Sequence, residues 1–150
     1  GGLDGDQVVY ADKITAPSAS RLYSIKRTRV NAYCSSLGKC ILANYSNSEL
    51  ENIMKDCSFI KFTPNTISDM EQLRTELAKV RKQGWAMEDE EYETGQRCIG
   101  APVYDYKGDI VAAISASGEK HVLTDDRINE VADYLVKKAF ELSKTLGYVE

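Results

Sequence analysis

The amino-acid sequence predicts an α+β domain that is built on a mainly antiparallel sheet. Strand-like segments lie towards both ends of the chain with helical segments between them, and successive strands are joined as hairpins rather than through repeated β-α-β units. With 150 residues, the chain is long enough for one domain whose core needs no disulfide bonds. We therefore expect residues 1–150 to fold as a single domain.

The first strands are predicted near the start of the chain. Residues 6–14 are rich in β-branched and aromatic side chains, Pro17 and Ser18 interrupt this pattern, and residues 21–26 form a second candidate strand. The glycine-rich residues 1–5 lead into the first strand within a few positions. Such an abrupt start is typical of a fragment cut from a longer protein.

Three helices are predicted in the middle of the chain. Apolar residues recur at helical spacing from Ser36, and Ser35 or Ser36 is suited to cap this first helix. Two Ser-x-x-Glu capping boxes, at residues 46–49 and 68–71, predict the starts of two more helices, and the second of these ends at Gly84. The predicted buried face of that last helix consists of Met70, Leu73, Leu77 and Val80.

Three strands and a final helix are predicted in the second half of the chain. Residues 86–91 and 97–104 have strand character, and turn-forming residues at 105–109 lead into a strand over residues 110–117. Thr124 and the two acidic residues after it are suited to cap a long amphipathic helix that ends near the C-terminus, at Gly147. The predicted apolar face of this helix consists of Ile128, Val131, Leu135, Ala139, Leu142 and Leu146.

Alternation along the last strand predicts which of its side chains share a face. The face that carries Ser115 and Ser117 ends in two hydroxyl groups about 7 Å apart, because a strand rises by about 3.3 Å per residue. These serines either lie near a solvated strand end or form a polar wall for a small ligand. The predicted faces are Ile110, Ala112, Ile114 and Ala116 on one side, and Val111, Ala113, Ser115 and Ser117 on the other.

Cys98 lies on the neighbouring strand, and Gly100 removes a side chain two residues further on, which would leave space beside the thiol. A two-residue turn would pair Cys98 with Ser115, whereas a three-residue turn with a bulge would pair it with Ala116. Pro102 lacks the amide that a central strand needs and is a second candidate for a bulge. The sequence alone leaves this register open.

The Cys98 thiol has three candidate roles. A free cysteine is commonly a small buried hydrophobic residue, so that core filler is the simplest interpretation. A catalytic thiol would need a base, and His121 is the sole histidine of the chain. The third role is the wall of a pocket.

Two further segments have polar groups suited to a ligand. The acidic run at residues 88–91 would place alternate side chains inward if it formed a strand, so Glu88 or Asp89 could accept a hydrogen bond from a ligand hydroxyl. The helix start at residues 36–39 has free backbone amides and the positive end of the helix dipole, which suit a carboxylate. The alternative interpretations are a solvated acidic surface and an ordinary capped helix.

Charge and cysteine spacing exclude several function classes. The net charge of −4 and the scattered basic residues are unsuited to a nucleic-acid surface, and no apolar run approaches the roughly 18 residues that cross a bilayer. No secretory signal is visible, so we expect a cytoplasmic protein. The four cysteines, Cys34, Cys40, Cys57 and Cys98, lack paired metal-binding spacing, so we expect reduced thiols, no metal and no cofactor.

Four segments in order resemble a known family. They are SSLGKCILA at 35–43, the stretch from residue 76 to 105 that contains GQRCIGAPV, GDIVAAISASG at 108–118, and the final amphipathic helix. Together they resemble the C-terminal effector-binding domain of IclR-family bacterial transcriptional regulators. The resemblance implies a GAF-like fold, in which helices pack on the back of a curved antiparallel sheet and a small effector binds on the other side.

The resemblance also implies a site and partners. Family pocket residues carry over by motif position, and Gln96 departs from the pattern because relatives usually have an aliphatic residue there. Full-length relatives bind operator DNA through an N-terminal winged helix-turn-helix domain, which has no counterpart in this chain, and they form dimers and tetramers. The implied effector-binding residues are Ser36, Leu37, Gly38, Glu88, Cys98, Ser115 and Ser117.

The sequence therefore predicts a non-enzymatic sensor that binds a small organic acid. The amides of residues 36–38 and the hydroxyls of Ser115 and Ser117 would hold the carboxylate, and Glu88 would accept a hydrogen bond at the far end. Two alternatives are a cysteine-dependent enzyme that uses Cys98 and a GAF-like oligomerisation module without an effector.

Overall fold

The structure is a computed structural model that describes residues 1–17 and 29–150. The predicted strand over residues 21–26 lies outside the described residues. Two short 3-10 turns, Ala32–Cys34 and Asp125–Arg127, precede the first and last helices. The strands are β1 (Gly2–Asp4), β2 (Gln7–Val9), β3 (Arg29–Asn31), β4 (Ala86–Asp89), β5 (Gln96–Tyr104) and β6 (Ile110–Glu119), and the helices are α1 (Ser36–Leu42), α2 (Asn47–Met54), α3 (Met70–Gln83) and α4 (Ile128–Thr145).

The described strands form two three-stranded antiparallel sheets, with the orders β1-β2-β3 and β4-β5-β6. The α+β prediction is confirmed, although the sequence pattern suggested a single sheet. The two sheets meet at one residue pair, since the backbone nitrogen of Gly1 donates to the Ala113 carbonyl at 3.0 Å and the Ala113 amide donates to the Gly1 carbonyl at 3.1 Å. Ala113 belongs to β6, so the first sheet continues the edge of the second.

The N-terminal sheet differs from its prediction in length and number of strands. The strand predicted over 6–14 is restricted to β2, and the unpredicted β1 pairs with it, so that Asp4 is opposite Gln7. Gly5 begins the two-residue turn between them with a φ of 62°, which is the conformation that glycine adopts most readily in such hairpins. The glycine-rich start is therefore part of a hairpin.

The helix boundaries follow the predicted caps closely. Ser46 and Glu49 form the capping box of α2, and Gly84 ends α3 in the left-handed conformation. At the start of α3 the cap is Asp69 rather than Ser68, because the Asp69 carboxylate accepts from the Gln72 amide at 2.8 Å. The predicted face of α3 is confirmed for Leu73, Leu77 and Val80, which are buried, whereas Met70 is partly buried.

The β5–β6 hairpin has a register that neither predicted turn produces. Residues 105–109 form the connection, Tyr104 is opposite Ile110, and a bulge shifts the register between Val103 and Tyr104. As a result Cys98 is opposite Ser117, not Ser115 or Ala116. The predictions were wrong because they assumed a shorter turn and missed the irregularity beside it.

The same bulge changes the face on which Ile110 lies. Ile110 packs against the core that contains Ala113, whereas Ala112, Ile114 and Ala116 pack against the core on the α4 side. The strict alternation predicted from residue 110 was therefore wrong for its first member, since a bulge adds a residue to one strand. Pro102 is not the bulge: it is opposite Ala113 in the regular ladder.

Sheet β4-β5-β6 lies between α1 and α4. Ile99, Ala101 and Val103 of β5 form one core with α4, while Ala86 and Ala113 belong to the core that includes α1 and α3. Within α4 the buried residues are Ala132, Leu135, Ala139 and Ser143, whereas the predicted core positions Leu142 and Leu146 are 42% and 45% exposed.

Thr124 makes no side-chain cap, because its hydroxyl donates to the Asp126 carboxylate at 2.6 Å, and the 3-10 turn Asp125–Arg127 precedes α4. None of the described helices has the length and apolar character that crossing a bilayer requires.

Candidate functional site

The face of the sheet that points towards α1 carries two rows of predicted site residues. Antiparallel register places Glu88 opposite Cys98 on one side and Ser117 opposite Cys98 on the other. The next row contains Gly100 and, opposite it, Ser115. Because side chains two residues apart on a strand share a face, both serines and Glu88 lie on the same surface as the thiol.

Hydroxyl groups surround the Cys98 thiol. Ser36 Oγ donates to the Cys98 sulfur at 2.9 Å, and Ser117 Oγ donates to it at 3.0 Å. Burial raises the pKa of the Cys98 thiol, and the hydroxyls of Ser117, Ser36 and Ser115 lower it by a smaller amount. The sulfur is therefore a neutral, weakly nucleophilic acceptor of hydrogen bonds.

Two glycines bring α1 close to this thiol. A Cβ at Gly100 would lie 2.8 Å from the Ser36 carbonyl oxygen and 3.2 Å from the Leu37 nitrogen. A Cβ at Gly38 would overlap the backbone of Ala32. The first turn of α1 therefore packs directly on β5, and the expected space beside Cys98 is filled by the backbone of Ser36 and Leu37.

The three predicted residues of α1 differ in what they present. Ser36 directs its hydroxyl to Cys98, whereas the Leu37 side chain is buried in the core. The Gly38 amide donates to the Ser35 hydroxyl at 3.4 Å. Among the described residues, the amides of Ser36 and Leu37 have no hydrogen-bond acceptor.

Glu88 is buried at the other end of the row. Its Oε1 accepts hydrogen bonds from the amides of Glu91 at 2.7 Å and Tyr92 at 3.1 Å. Burial raises the pKa of Glu88 to about 7, with the two amides acting in the opposite direction. Glu88 can therefore change protonation state near neutral pH. The neighbouring Asp89 points to the opposite face of the sheet, where it pairs with Arg97 at 2.8 Å.

The sequence interpretation missed a buried ion network beside Glu88. Lys39 Nζ lies 2.8 Å from Glu91 Oε2 and 3.1 Å from Glu76 Oε1, and it also donates to the Met87 carbonyl. The Lys39 side chain is 1% exposed. The sequence does show both partners, the lysine after Gly38 and the acidic run at residues 88–91. Because lysine and glutamate are rarely buried unless they are paired, residues of these types favour a surface interpretation.

A segment that the sequence interpretation did not assign to the site lies beside it. Tyr10 lies close to Cys98, Glu88 and Ser35, and burial raises its pKa to about 12. Lys13 also lies within electrostatic range of Cys98. Glu88 and Cys98 are only 7% and 8% exposed. The surface also has two shallow clefts. Residues 94–96 and 119–121 line one of them, and the first turns of α3 line the other. Neither cleft contains a predicted site residue.

The arrangement does not form a catalytic thiol. His121 is exposed and its ring nitrogen lies 3.2 Å from Glu119, whereas the Cys98 sulfur contacts serine hydroxyls. All four cysteines are free thiols. Within residues 1–17 and 29–150, no group of three or more His, Cys, Asp or Glu side chains is arranged to hold a metal ion.

Comparison with known proteins identifies the family. Residues 1–144 match the family model described as bacterial transcriptional regulator IclR C-terminal. The chain is 32% identical over 148 residues to the HTH-type transcriptional regulator XynR of Escherichia coli, covering 99% of this chain and 59% of that protein. The chain spans about half the length of the curated relatives it matches.

Solved structures agree with this match. The C-terminal domain of E. coli KdgR superimposes with a TM-score of 0.88 at 32% identity, over 98% of this chain and 85% of that chain. The Thermotoga maritima IclR structure has a TM-score of 0.90 at 38% identity, over 98% of this chain and 60% of that chain. These relatives are transcriptional regulators rather than enzymes, which counts against the alternative of a cysteine-dependent enzyme. The chain belongs to the IclR family of bacterial transcriptional regulators, as a C-terminal regulatory domain.

Proposed function

We propose that this domain senses a small organic acid, which binds on the face of the sheet that carries Cys98. The observation that carries the proposal is the group of hydroxyls around one buried thiol, with a titratable carboxyl group in the same row. Ser36, Ser115 and Ser117 belong to that group, and Glu88 lies opposite Cys98 in the β4–β5 ladder.

The hydroxyl groups are suited to a carboxylate because their present acceptor is a poor one. Ser36 and Ser117 both donate to a thiol sulfur, which is a weak acceptor compared with an ionised oxygen. Hydrogen bonds to a charged acceptor are roughly twice as strong as neutral ones. If a carboxylate reached this position, the two hydroxyls would exchange weak hydrogen bonds to sulfur for stronger ones to an ionised oxygen. The amides of residues 36–38 are further candidate donors.

Glu88 supports the preference for an acid that carries a hydroxyl or hydrated carbonyl at its other end. One of its oxygens is occupied by the Glu91 and Tyr92 amides, so the other oxygen is the one proposed to face the ligand. With a pKa near neutrality, the group can accept a hydrogen bond when ionised and donate one when protonated.

Ligand entry requires the segment that contains Tyr10 and Lys13 to move. Tyr10 and Lys13 lie within electrostatic range of Cys98, the thiol is only 8% exposed, and Ser117 is exposed at the end of the same row. We place the entrance between these residues. A ligand that binds only the open arrangement would shift the domain towards it, and this differential affinity is what regulation needs.

The wider role of the protein follows from its family. We propose that residues 1–150 form the effector-binding part of a longer cytoplasmic regulator, whose DNA-binding domain lies outside this chain and contacts operator DNA. Self-association as a dimer or tetramer would carry the effect of the ligand to that domain. The names of the matched relatives, HTH-type transcriptional regulators, support this arrangement.

The test is a thermal-shift screen of the purified domain with aliphatic hydroxy acids and keto acids of three to six carbons and with hydroxybenzoates. A ligand at 100 times its Kd should stabilise the folded state by about 2.7 kcal/mol. Calorimetry with the best acid should then show a loss of about 10- to 150-fold in affinity for the Ser115→Ala/Ser117→Ala double variant. Exposed Ser48→Ala is the matched control.

Two outcomes of this test count against the proposal. Unchanged affinity in the double variant would remove the assignment of the serines. Absence of any stabilising acid, together with an intact oligomer in native mass spectrometry, would favour the alternative of an oligomerisation module without an effector.

A further inference from the structure

The ammonium group of Lys39 lies where three parts of the fold meet. Lys39 is on α1, Glu76 is on α3, and Glu91 is in the loop that follows β4. The Lys39 nitrogen lies 2.8 and 3.0 Å from the two carboxylate oxygens of Glu91 and 3.1 Å from Glu76 Oε1. It also donates to the carbonyl of Met87. These partners account for all three ammonium protons, so Lys39 has no donor to offer a ligand.

The Lys39–Glu91 ion pair fixes the loop that holds Glu88. Glu91 Oε2 also accepts from the Asp89 amide at 3.0 Å, which draws the loop around the carboxylate. The Glu91 and Tyr92 amides then donate to Glu88 Oε1. One residue, Glu91, therefore binds Lys39 through its side chain and Glu88 through its backbone.

Lys39 also belongs to the helix that carries Ser36. The two residues are three positions apart on α1, so they lie on the same side of the helix. Gly100 permits the first turn of α1 to contact β5, where Ser36 reaches Cys98. The position of α1 thus determines both where Ser36 lies and where the Lys39 ammonium meets Glu91.

We infer that Lys39 is a positioning residue of the candidate site: through Glu91 it holds the Glu88 carboxyl group in place, and through α1 it sets the distance between Glu88 and Ser36. That this site binds an effector rests on the proposed function, whereas the positioning of Glu88 by Lys39 and Glu91 does not depend on it. The inference can therefore be tested without a ligand.

Several charged and titratable groups surround Glu88, and a test must separate their electrostatic effects from the effect of positioning. In the loop and on α1 these are Glu91 and Lys39. On the other elements packed against Glu88 they are Cys98, Cys34 and Tyr10. The negative charge of Glu91 raises the pKa of Glu88, whereas the Glu91 and Tyr92 amides lower it by more.

Glu91→Ala therefore distinguishes positioning from simple charge. If the Glu91 side chain holds the loop, its removal frees the Glu91 and Tyr92 amides from Glu88 Oε1. If the side chain acts only through its charge, both amides stay bonded to Glu88. Nitrogen-15 NMR shifts of the two amides report directly whether these hydrogen bonds remain. The matched control is Glu76→Ala, which removes the other carboxylate partner of Lys39 but has no bond to the loop.

Amide hydrogen exchange provides the second readout. We expect the Glu91 and Tyr92 amides to exchange about tenfold faster in Glu91→Ala and in Lys39→Met, to be unchanged in Glu76→Ala, and to be protected again in Lys39→Arg. Where Lys39→Met fails to fold, the two alanine variants carry the test. Unchanged amide shifts and protection at Glu91 and Tyr92 in Glu91→Ala, or equal exchange rates in the two alanine variants, would overturn the inference. Because no ligand is involved, failure of the acid screen leaves this result untouched.

Discussion

Ser117 lies directly opposite Cys98 in the β5–β6 ladder, and its hydroxyl donates to the Cys98 sulfur over 3.0 Å. This pair joins an exposed residue to a buried one, so it connects the solvent edge of the sheet to the interior of the candidate site. Its geometry accounts for the behaviour that we expect of the thiol.

Cys98 should react slowly with iodoacetamide in the native state. Burial raises the pKa of the thiol, so little thiolate is present at neutral pH. Cys57 is only half-buried and should be alkylated first. Timed labelling at pH 7 and pH 9, followed by peptide mass spectrometry, checks the order. Labelling of Cys98 as fast as an unfolded cysteine at pH 7 would contradict this account.

Gly100→Ala should destabilise the domain by about 1–3 kcal/mol, because the added methyl group must displace the backbone of α1. Urea unfolding followed by circular dichroism measures the loss. Gly2→Ala is the control, since nothing lies within 4 Å of the added methyl there. Equal stability of the two variants would show that α1 moves away from β5 at no cost.

Glu88 should make the domain less stable as pH rises. Its pKa increases from 4.5 in the unfolded chain to about 7 in the folded domain, so the unfolded state releases its proton first. The stabilisation from the neutral form is complete below about pH 4.5 and is lost as pH approaches and passes 7, with a total of about 3 kcal/mol.

Glu88→Gln removes this titration. The free energy of unfolding of the variant, measured with urea at pH 5 and pH 8, should change less with pH than that of the unsubstituted domain. The exposed Glu51 provides the control variant Glu51→Gln, which should retain the original dependence. A variant that keeps the full slope would assign the pH effect to another group.

Lys39→Met should cost about 3–5 kcal/mol of stability, because it leaves the Glu91 carboxylate buried without its cation. The double variant Lys39→Met/Glu91→Gln should recover part of this loss. The exposed pair Lys138–Glu141 offers a comparison, since solvent screens this pair and Lys138→Met should cost far less stability than Lys39→Met. Chemical denaturation of all three variants completes the test, and equal losses at Lys39 and Lys138 would contradict the burial of the ion pair.

Local signals in the sequence predicted the helix boundaries well. The Ser46–Glu49 box and the Gly84 stop depend on residues within one turn of the chain, and the structure contains both. The Asp69 cap differs by one position because aspartate and serine are equally suited to cap a helix. Such features need no knowledge of distant contacts.

The sheet register and the ion network depend on contacts that composition does not reveal. The five-residue connection at 105–109 and the bulge at Val103 and Tyr104 set the partner of Cys98, and many sequences are compatible with either turn length. Lysine is normally a surface residue, so the sequence gives no sign that Lys39 is buried. Its burial depends on the ion pairs that form where α1 meets Glu76 and Glu91. These are properties of the assembled fold.

Gly38 and Gly100 separate the framework of this site from its lining. Both are required for the close approach of backbones, and neither contributes a functional group. The positions that do contribute one, such as Ser36, Cys98 and Ser117, carry small side chains around that frame. In the proposed effector site, exchange of these side chains would alter which acid is recognised while the two glycines keep the fold the same, so that one scaffold would serve regulators with different inputs.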